Sequence, residues 1–450
     1  MIKDTFRKYM EEAIGAENAL VAFSAFDDPA SVSIRLNPFK KGCTLSGRPV
    51  HWNSHGLLLA ERPVFTLDPM FHAGAYYVQD SSSMFVGHVF RQLLNRVKLP
   101  EDRPLRVLDL CAAPGGKTTD LAASLREHFG DAFILVANEV MKARVGVLAD
   151  NVAIWGDPNV VVTSDDPRAF SALPGFFDII LADVPCSGEG MFRKDMQAQE
   201  QWSEDNVALC EARQRRILAD VWPSLAMGGV LVYSTCTFNR YENDGNVGWI
   251  ASELGADVVT EEFAGGCTGI IRTEYGYSLV PGYVEGEGQY CAALVKTSEV
   301  AYVSLKNPRG KDASSAEPVR GLMNREMTFS LKGDTLVAVP EHLSHCVSVL
   351  RQYLHVIAAG CAVGLMKGKV FVPGADLALS IALDRNAYPS VEVDLKTALS
   401  YLHRDAIVLP DAEKGYVLVC HQGLPLGFVK NLGNRCNSLH PQSRRIRMNV

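Results

Sequence analysis

Short apolar segments alternate with helical patterns through the middle of this 450-residue chain, and this alternation most constrains its fold. Arg106–Leu110 is predicted to be a strand that ends in a glycine-rich turn, and Lys117–Phe129 carries apolar residues at the four-residue spacing of a helix face. The other segments of the series are strands at Phe133–Val136, Val160–Thr163, Asp178–Leu181 and Val230–Tyr233 and a helix at Arg144–Ile154. The alternation predicts an α/β fold in which helices cover an open parallel sheet, with ligands at the carboxyl ends of the strands.

The rest of the chain divides around this segment. Residues 1–100 are less regular and are predicted to form an α+β lobe, whereas 101–297 hold the alternating segment. Residues 298–318 are rich in Pro, Ser, Gly and charge, which indicates a linker. Beyond it, 319–450 is predicted to be a further α+β region in which Gly415–Val429 forms a hairpin.

The charge balance excludes a chain that is basic overall. Lys and Arg number 44 against 51 Asp and Glu, a formal net charge of −7, so local basic patches would have to hold any nucleic acid. The N-terminus lacks an apolar signal segment, and no apolar stretch reaches the ~18 residues of a membrane span. The 11 cysteines include no Cys-x-x-Cys pair, which argues against a metal site. We therefore expect a cytoplasmic protein with free thiols, no membrane partner and no metal.

The segment Leu108–Thr118, LDLCAAPGGKT, places a glycine turn between the first strand and the following helix. Backbone N–H groups and the positive end of a helix suit an anionic or polar ligand at such a turn. One alternative is the phosphate loop of an NTPase, because the end of the segment fits that motif and Asp183 resembles its magnesium-binding acid. Cys111, however, stands where that loop requires its first glycine.

The second alternative is a nucleoside-type cofactor that lies across the carboxyl edge of the sheet. Glu139 follows the second strand, where an acid can bind the ribose hydroxyls. Asp165 and Asp166 follow the third strand, where a polar group can hold an adenine amine, and we favour Asp166. Because no GxGxxG motif follows the first strand, the pattern favours S-adenosylmethionine over NAD.

Two cysteines follow neighbouring core strands, Cys186 in the segment DVPC and Cys236 in the segment STC. The strand ends bring both to the cleft of the cofactor loop. A thiolate that adds to carbon 6 of a pyrimidine makes carbon 5 nucleophilic enough to attack a methyl sulfonium. Asp183 is placed to hold a proton on the base, Lys117 to favour the thiolate, and the second thiol to assist release. The spacing leaves open which cysteine attacks.

Three sequence blocks resemble the signature motifs of one family. CAAPGGKT at 111–118, DVPCSGEGMFRKD at 183–195 and YSTCTFNRYEND at 233–244 are similar to blocks of the NOL1/NOP2/Sun RNA 5-methylcytosine methyltransferases, and the resemblance extends over about residues 1–297. The length and the tail GFVKNLGNRCNSLHPQSRRIRM resemble the bacterial RsmF-type branch, which modifies 16S ribosomal RNA and carries a PUA-like C-terminal domain. The resemblance implies a Rossmann-like, S-adenosylmethionine-dependent methyltransferase core.

The resemblance also implies roles for the matching residues. Cys236 would be the nucleophile, Cys186 would assist release, and Asp183 would contact the cytosine. Lys117 would lie between the cofactor loop and the base. Glu139 would hold the ribose and Asp166 the adenine. The full set expected to bind S-adenosylmethionine is Cys111, Ala112, Ala113, Pro114, Gly115, Gly116, Lys117, Glu139, Arg144, Asp166 and Asp183.

RNA is the expected partner, through two runs that contain basic residues and no acids, Arg35–Arg48 and Lys430–Val450. The residues expected to contact RNA are Arg35, Asn37, Lys40, Lys41, Lys430, Arg435, Arg444 and Arg445. The expected RNA is 16S ribosomal RNA or the small ribosomal subunit, with the target cytosine single-stranded or flipped out of a helix. A tRNA cytosine-5 methyltransferase and a non-catalytic RNA-binding protein that kept the fold are the further alternatives.

Overall fold

The computed structural model describes residues 3–300, 319 and 321–449, so the predicted linker lies outside the described residues from 301 onward. The N-terminal lobe packs helices around a four-stranded antiparallel sheet with the order β2-β3-β1-β4. Its strands are β1 (Ser33–Leu36), β2 (Arg48–Val50), β3 (Asn53–Leu58) and β4 (Tyr76–Val78), and its helices are α1 (Asp4–Ile14), α2 (Ala16–Ser24), α3 (Pro69–His72) and α4 (Ser81–Leu94).

The central sheet confirms the predicted α/β class. Five parallel strands have the order β9-β8-β5-β6-β7, and the antiparallel strand β13 lies beside β9. The strands are β5 (Leu105–Asp109), β6 (Phe133–Asn138), β7 (Val160–Thr163), β8 (Phe177–Asp183), β9 (Leu225–Thr235), β10 (Ala256–Val258), β11 (Ile271–Arg272), β12 (Tyr277–Leu279) and β13 (Gln289–Lys296). The helices are α5 (Gly116–Phe129), α6 (Lys142–Trp155), α7 (Met196–Gln201), α8 (Glu204–Val221) and α9 (Asp244–Trp249).

The central strands are apolar on both faces because each face of the sheet carries its own hydrophobic cluster. Successive side chains of a strand point to opposite faces. In β5, Val107 packs into one cluster and Leu108 into the other; in β6, Leu135 and Val136 divide in the same way. Burial on both faces fixes the register, so the carboxyl ends of the parallel strands meet along one edge.

The C-terminal region contains two further four-stranded sheets, ordered β14-β15-β17-β18 and β19-β20-β21-β22. Their strands are β14 (Met327–Lys332), β15 (Thr335–Pro340), β17 (Cys361–Lys367), β18 (Val370–Pro373), β19 (Ser390–Glu392), β20 (Gly415–His421), β21 (Leu424–Asn431) and β22 (Cys436–Ser438). The helices are α10 (Ser344–Tyr353), α11 (Ala375–Leu379) and α12 (Leu395–His403). The hairpin predicted at Gly415–Val429 is present, and Gln422 and Gly423 adopt the positive φ values of 48° and 74° that a tight turn requires.

A strand from the C-terminal region extends the central sheet. This strand, β16 (Val356–Ala359), pairs antiparallel with β7. Helix α10 precedes it and buries Val347 and Leu350 in the same hydrophobic cluster as Leu108. Residues within 319–450 therefore share a core with the central α/β domain. Within the described ranges, no helix is long and apolar enough to cross a membrane.

The shared core predicts that a cavity in α10 destabilises the central domain. Leu350 is fully buried, so Leu350→Ala should lower the free energy of unfolding by about 2–5 kcal/mol. Urea denaturation followed by far-UV circular dichroism measures this change. Leu395→Ala is the control, because Leu395 is 52% exposed and its loss should change stability by less than about 0.5 kcal/mol. A loss confined to a separate C-terminal transition would contradict the shared core.

Candidate active site

The two cysteines singled out in the sequence meet at the carboxyl edge of the central sheet. Strands β8 and β9 are parallel neighbours, and Asp183 lies opposite Ser234 at their ends. The loops that follow bring the Sγ atoms of Cys186 and Cys236 to 3.2 Å from each other, with both cysteines free. The two sulfur atoms meet because adjacent parallel strands end at the same edge of the sheet, and the loop after each strand lies along that edge.

Asp183 receives hydrogen bonds from three elements. Its Oδ2 accepts from Nζ of Lys117 at 2.8 Å, and its Oδ1 accepts from Oγ of Ser234 at 2.7 Å and from Nε2 of Gln289 at 3.4 Å. Burial alone would lower the pKa of Lys117, but the charge and hydrogen bond of Asp183 outweigh burial and raise it. The ammonium therefore stays charged and paired with Asp183 at the edge of the sheet.

Two of the cysteines around the cleft have raised pKa values. The pKa of Cys186 is raised well above its ordinary value by its hydrogen bond with Cys236, by burial and by the nearby charges. Burial likewise raises the pKa of Cys111 in the glycine turn. Both groups are consequently held as neutral thiols, which suits Cys186 to proton transfer and Cys111 to packing.

The glycine turn is fixed by contacts to its backbone carbonyls. Gly115 has a φ of 112° and precedes α5, a left-handed conformation that glycine adopts without strain. Arg144 donates through Nη2 to the carbonyl of Ala113, and Nδ2 of Asn151 donates to the carbonyl of Pro114 at 2.8 Å. These contacts leave the turn ordered at the cofactor edge predicted from the sequence.

The acids expected to hold the cofactor follow the next two strands. Glu139 is buried; its Oε1 accepts from the backbone N–H of Met141 at 2.8 Å, and its Oε2 lies 3.4 Å from Nη1 of Arg144. Asp166 is half-exposed and accepts from the backbone N–H of Arg168 at 3.1 Å. Asp165, which the sequence analysis disfavoured, instead accepts through Oδ2 from the backbone N–H of His355 at 2.8 Å. Asp166 also lies 3.5 Å from Nη1 of Arg216, so both acids have partners, and Asp166 is the more exposed of the two.

An orphaned acceptor also lies at this edge. Asp109 ends β5, is fully buried, and accepts from Oγ1 of Thr118 at 2.7 Å through Oδ2. Burial raises its pKa to about 7. Its Oδ1 has no hydrogen-bond donor among the described residues. A buried acceptor without a donor is costly, so this atom fits a site that is completed by a ligand.

Sequence reasoning missed four residues of the site. Glu189, Asn239 and Glu242 lie inside the sequence blocks that carry the resemblance, but their position beside the thiols depends on how two loops cross. Gln289 comes from β13 and donates to Asp183, and no motif marks it in the sequence. The motif blocks could have identified the three loop residues. Gln289 is brought to the site only by the pairing of β13 with β9.

The structure corrects the expectation that Arg35, Asn37, Lys40 and Arg444 contact RNA. Arg35 is fully buried and donates to Gln79, Gly116 and Thr119. The remaining side chains are engaged in the same way: Asn37 donates to the carbonyls of Gly74 and Trp155, Lys40 to those of Ala73 and Ile154, and Arg444 pairs with Asp150 and Asp376. Burial lowers the pKa of Lys40 to about 7.

Four of the eight residues expected to bind RNA face solvent: Lys41, Lys430, Arg435 and Arg445. A run of basic residues forms a basic surface only where its side chains are exposed. The segment around Arg35 instead forms a buried contact between the N-terminal lobe and α5. The basic tail keeps its exposed residues on and after β21.

Three family models match the chain. The 16S rRNA methyltransferase RsmB/F model matches residues 97–295, the N-terminal domain of 16S rRNA methyltransferase RsmF matches residues 2–81, and the methyltransferase RsmF PUA domain matches residues 388–446. The last match coincides with the sheet β19–β22 and α12. The first covers the whole five-stranded parallel part of the central sheet.

Curated relatives align with most of the chain. A ribosomal RNA small subunit methyltransferase F from Serratia proteamaculans (strain 568) is 32% identical over 390 residues, which cover 82% of this chain and 78% of the relative. One from Shewanella baltica (strain OS223) is 31% identical over 454 residues, covering 93% and 91%.

Solved structures share the fold over about two thirds of the chain. NSun6 from Pyrococcus horikoshii aligns with a TM-score of 0.54 and 20% identity over 66% of this chain and 99% of that chain. A methyltransferase homolog protein from the same organism gives 0.53 and 25% over 65% and 95%.

The burial of Arg35 predicts a stability effect. Arg35→Ala leaves the buried carboxylate of Asp120, 3.8 Å from the guanidinium, without one of its two cationic neighbours and should cost about 3–5 kcal/mol of unfolding free energy. Chemical denaturation measures it, with exposed Lys41→Ala as the control that changes stability by less than about 0.5 kcal/mol. Unchanged stability together with weaker RNA binding in Arg35→Ala would restore the RNA-contact role.

Proposed function

This chain belongs to the ribosomal RNA small subunit methyltransferase F family, and from that premise we propose that it methylates carbon 5 of a cytosine in 16S ribosomal RNA through a covalent cysteine–cytosine intermediate. Members of this family are S-adenosylmethionine-dependent rRNA methyltransferases. Membership of this family excludes the P-loop NTPase alternative. In addition, Lys117 and Asp183 form an ion pair with each other, whereas an NTPase would use these groups to bind phosphate and magnesium.

The observation that carries the proposal is the pair of thiols 3.2 Å apart next to the carboxylate of Asp183. Methylation of an exocyclic nitrogen or of a ribose hydroxyl requires no nucleophilic thiol, so it leaves both cysteines without a role. Carbon 5 of cytosine is a poor nucleophile, and only an addition at carbon 6 raises its reactivity. Two thiols at one site match a reaction that must both form and break a carbon–sulfur bond.

The first step belongs to Cys236. Its thiolate adds to carbon 6 of cytosine, and the electron pair of the carbon 5–carbon 6 double bond moves toward the ring nitrogen and carbon 5. Asp183 faces the base and holds a proton at the Watson–Crick edge, where charge develops. Lys117 holds Asp183 in place and lowers the cost of negative charge in the cleft. When bound, S-adenosylmethionine supplies a methyl group on a positively charged sulfur.

Cys186 serves the second half of the reaction. After methylation, carbon 5 carries both a methyl group and its original hydrogen. Loss of that hydrogen as a proton returns an electron pair to the ring, and the bond from carbon 6 to the sulfur of Cys236 breaks. Cys186 lies against that sulfur, which places it to take part in proton transfer during release. In this division of labour the two thiols act in sequence.

The residues at the sheet edge fit the cofactor. Glu139 would accept from the ribose hydroxyls and Asp166 from the adenine amine, and the backbone of Ala112–Gly116 would cradle the methionine end. The unpartnered Oδ1 of Asp109 supplies an acceptor for a donor group of the ligand. Exposed Lys41, Lys430, Arg435 and Arg445 would meet RNA phosphates, in a cytoplasmic protein whose target base is flipped out of its stack.

The proposed roles of the thiols predict opposite behaviour of two variants. Cys186→Ala should accumulate a covalent protein–RNA adduct, because addition still occurs and release is impaired. Cys236→Ala should form no adduct and lose at least about a thousandfold in methylation rate. The measurement is a denaturation-resistant band shift on small-subunit rRNA from cells that lack the protein, with S-adenosylmethionine present. The reverse pattern would exchange the two roles, and no adduct in either variant would contradict the mechanism.

The proposed ribose contact predicts a loss of cofactor affinity. Glu139→Ala removes a charged acceptor and should weaken binding of S-adenosylmethionine by about 10–100-fold, as measured by isothermal titration calorimetry. Glu253→Ala removes an exposed carboxylate and is the control. Equal affinity in the Glu139→Ala variant and the wild type would reject Glu139 as the ribose ligand.

A further inference from the structure

The two thiols lie on loops rather than on strands. Cys186 follows β8 by three residues, and Cys236 is the first residue after β9. Strand register fixes where the loops start but not how the loops approach each other. The separation of the sulfur atoms therefore depends on contacts between the loops.

Glu189 lies in the loop that follows β8 and contains Cys186 (the Cys186 loop). It binds the loop that follows β9 and contains Cys236 (the Cys236 loop). Its side chain is fully buried, and its Oε2 accepts from the backbone N–H groups of Phe238 at 2.7 Å and Asn239 at 3.0 Å. Its Oε1 accepts from Nε1 of Trp202 at 2.8 Å. Glu189 thus fixes the backbone immediately after Cys236 from the opposite loop.

Glu242 makes the reciprocal connection. It is carried by the segment after Cys236, is fully buried, and accepts through Oε2 from the backbone N–H of Ser187, the residue next to Cys186, at 3.0 Å. The same oxygen accepts from Nε2 of Gln214 at 2.7 Å, and this amide also donates to the carbonyl of Pro185 at 3.0 Å. Glu242 thereby fixes the backbone on both sides of Cys186.

One amide joins the two carboxylates. Nδ2 of Asn239 lies 2.9 Å from Oε1 of Glu189 and 2.8 Å from Oε1 of Glu242. Two direct contacts between the loops lie alongside it: the backbone N–H of Gly190 donates to the carbonyl of Cys236 at 2.8 Å, and the hydroxyls of Ser187 and Thr237 are 2.9 Å apart.

Both carboxylates are surrounded by donors. Every hydrogen-bond partner of the two carboxylates in the described part of the chain is an N–H or O–H group, and none is a lysine or arginine. Burial raises the pKa of Glu242 to about 7. Keeping two acids of this kind under a cysteine pair is expensive for folding alone, since an apolar filler would avoid the desolvation cost.

We propose that Glu189 and Glu242 are positioning residues, a crossed pair in which each carboxylate holds the opposite thiol-bearing loop so that Cys186 and Cys236 stay in contact. Neither carboxylate contacts the reacting atoms. Both act through backbone amides that lie one to three residues after the cysteines. The relevance of this contact to methylation rests on the proposed function, whereas the geometric claim does not.

The geometric claim is tested by cross-linking the thiols without RNA or cofactor. The diazene oxidant diamide takes up two electrons and two protons as two thiols become one disulfide, and the rate of Cys186–Cys236 disulfide formation, followed by peptide mass spectrometry, reports how often the sulfurs meet. In Glu242→Gln the new NH₂ group must face a donor in either orientation, because each oxygen of Glu242 already accepts a hydrogen bond. We expect this variant and Glu189→Gln to form the disulfide about tenfold more slowly than the wild type.

Glu200→Gln is the matched control, since Glu200 is an exposed acid in α7 that follows the same loop, and its disulfide rate should equal that of the wild type. Asn239→Ala provides a second variant, which keeps both carboxyl groups and removes the shared amide, in case a Glu→Gln protein fails to fold. Wild-type disulfide rates in folded Glu189→Gln, Glu242→Gln and Asn239→Ala proteins would overturn the proposal.

Methylation of small-subunit rRNA separates positioning from general structural damage. Glu242→Gln should lower kcat about tenfold while KM for S-adenosylmethionine and RNA stays unchanged, and Glu242→Asp, which keeps the charge, should recover part of the loss. If disulfide formation is slower but kcat is unchanged, the crossed pair of carboxylates does hold the two loops together. That result would instead reject the proposal that the reaction needs both thiols in contact. If KM for S-adenosylmethionine and RNA instead rises in step with the loss of unfolding free energy, the variant is damaged in general. That result would overturn the positioning role.

Discussion

The site depends on the carboxylate of Asp183 at the end of β8. It accepts hydrogen bonds from Lys117 at the start of α5, from Ser234 at the end of β9 and from Gln289 on β13. Three elements that are far apart in sequence are thereby fixed around one point, at the ends of the two strands from which the cysteine loops start. The glycine turn and the cysteine loops consequently share a single electrostatic anchor, because the ammonium of Lys117 belongs to the helix that follows the turn.

The molecule uses carboxylates in two different ways around the cleft. Asp183 is partly exposed and paired with a cation, as suits the substrate contact proposed for it. Glu189 and Glu242 are fully buried and satisfied by neutral donors, which holds backbone rather than charge. The C-terminal region adds a further connection, since His355 donates to Asp165 next to the expected adenine ligand and β16 extends the same sheet. The carboxyl edge of the central sheet and the C-terminal region are thus joined by direct hydrogen bonds.

The sequence predicted the central sheet well and the surfaces less well. Val160–Thr163 has the predicted bounds because a strand buried on both faces is a pure apolar run, whereas β9 begins five residues before the predicted Val230, in a stretch with two glycines that lowers the strand signal. The meeting of the two cysteines followed from topology. The pairing of β16 with β7 and the burial of Arg35 did not, since both arise from contacts between distant segments that neither periodicity nor charge encodes.

In the proposed mechanism a cysteine adds to cytosine so that carbon 5 can be methylated, and the fate of the hydrogen on carbon 5 distinguishes this route from one without the adduct. Small-subunit rRNA from cells lacking the protein, labelled with tritium at carbon 5 of cytosine, would be incubated with the enzyme and S-adenosylmethionine. Tritium released to water and methyl groups transferred to RNA would be counted together. The account predicts about one tritium released per methyl group transferred, with both lost in Cys236→Ala. Methyl transfer without tritium release would contradict it.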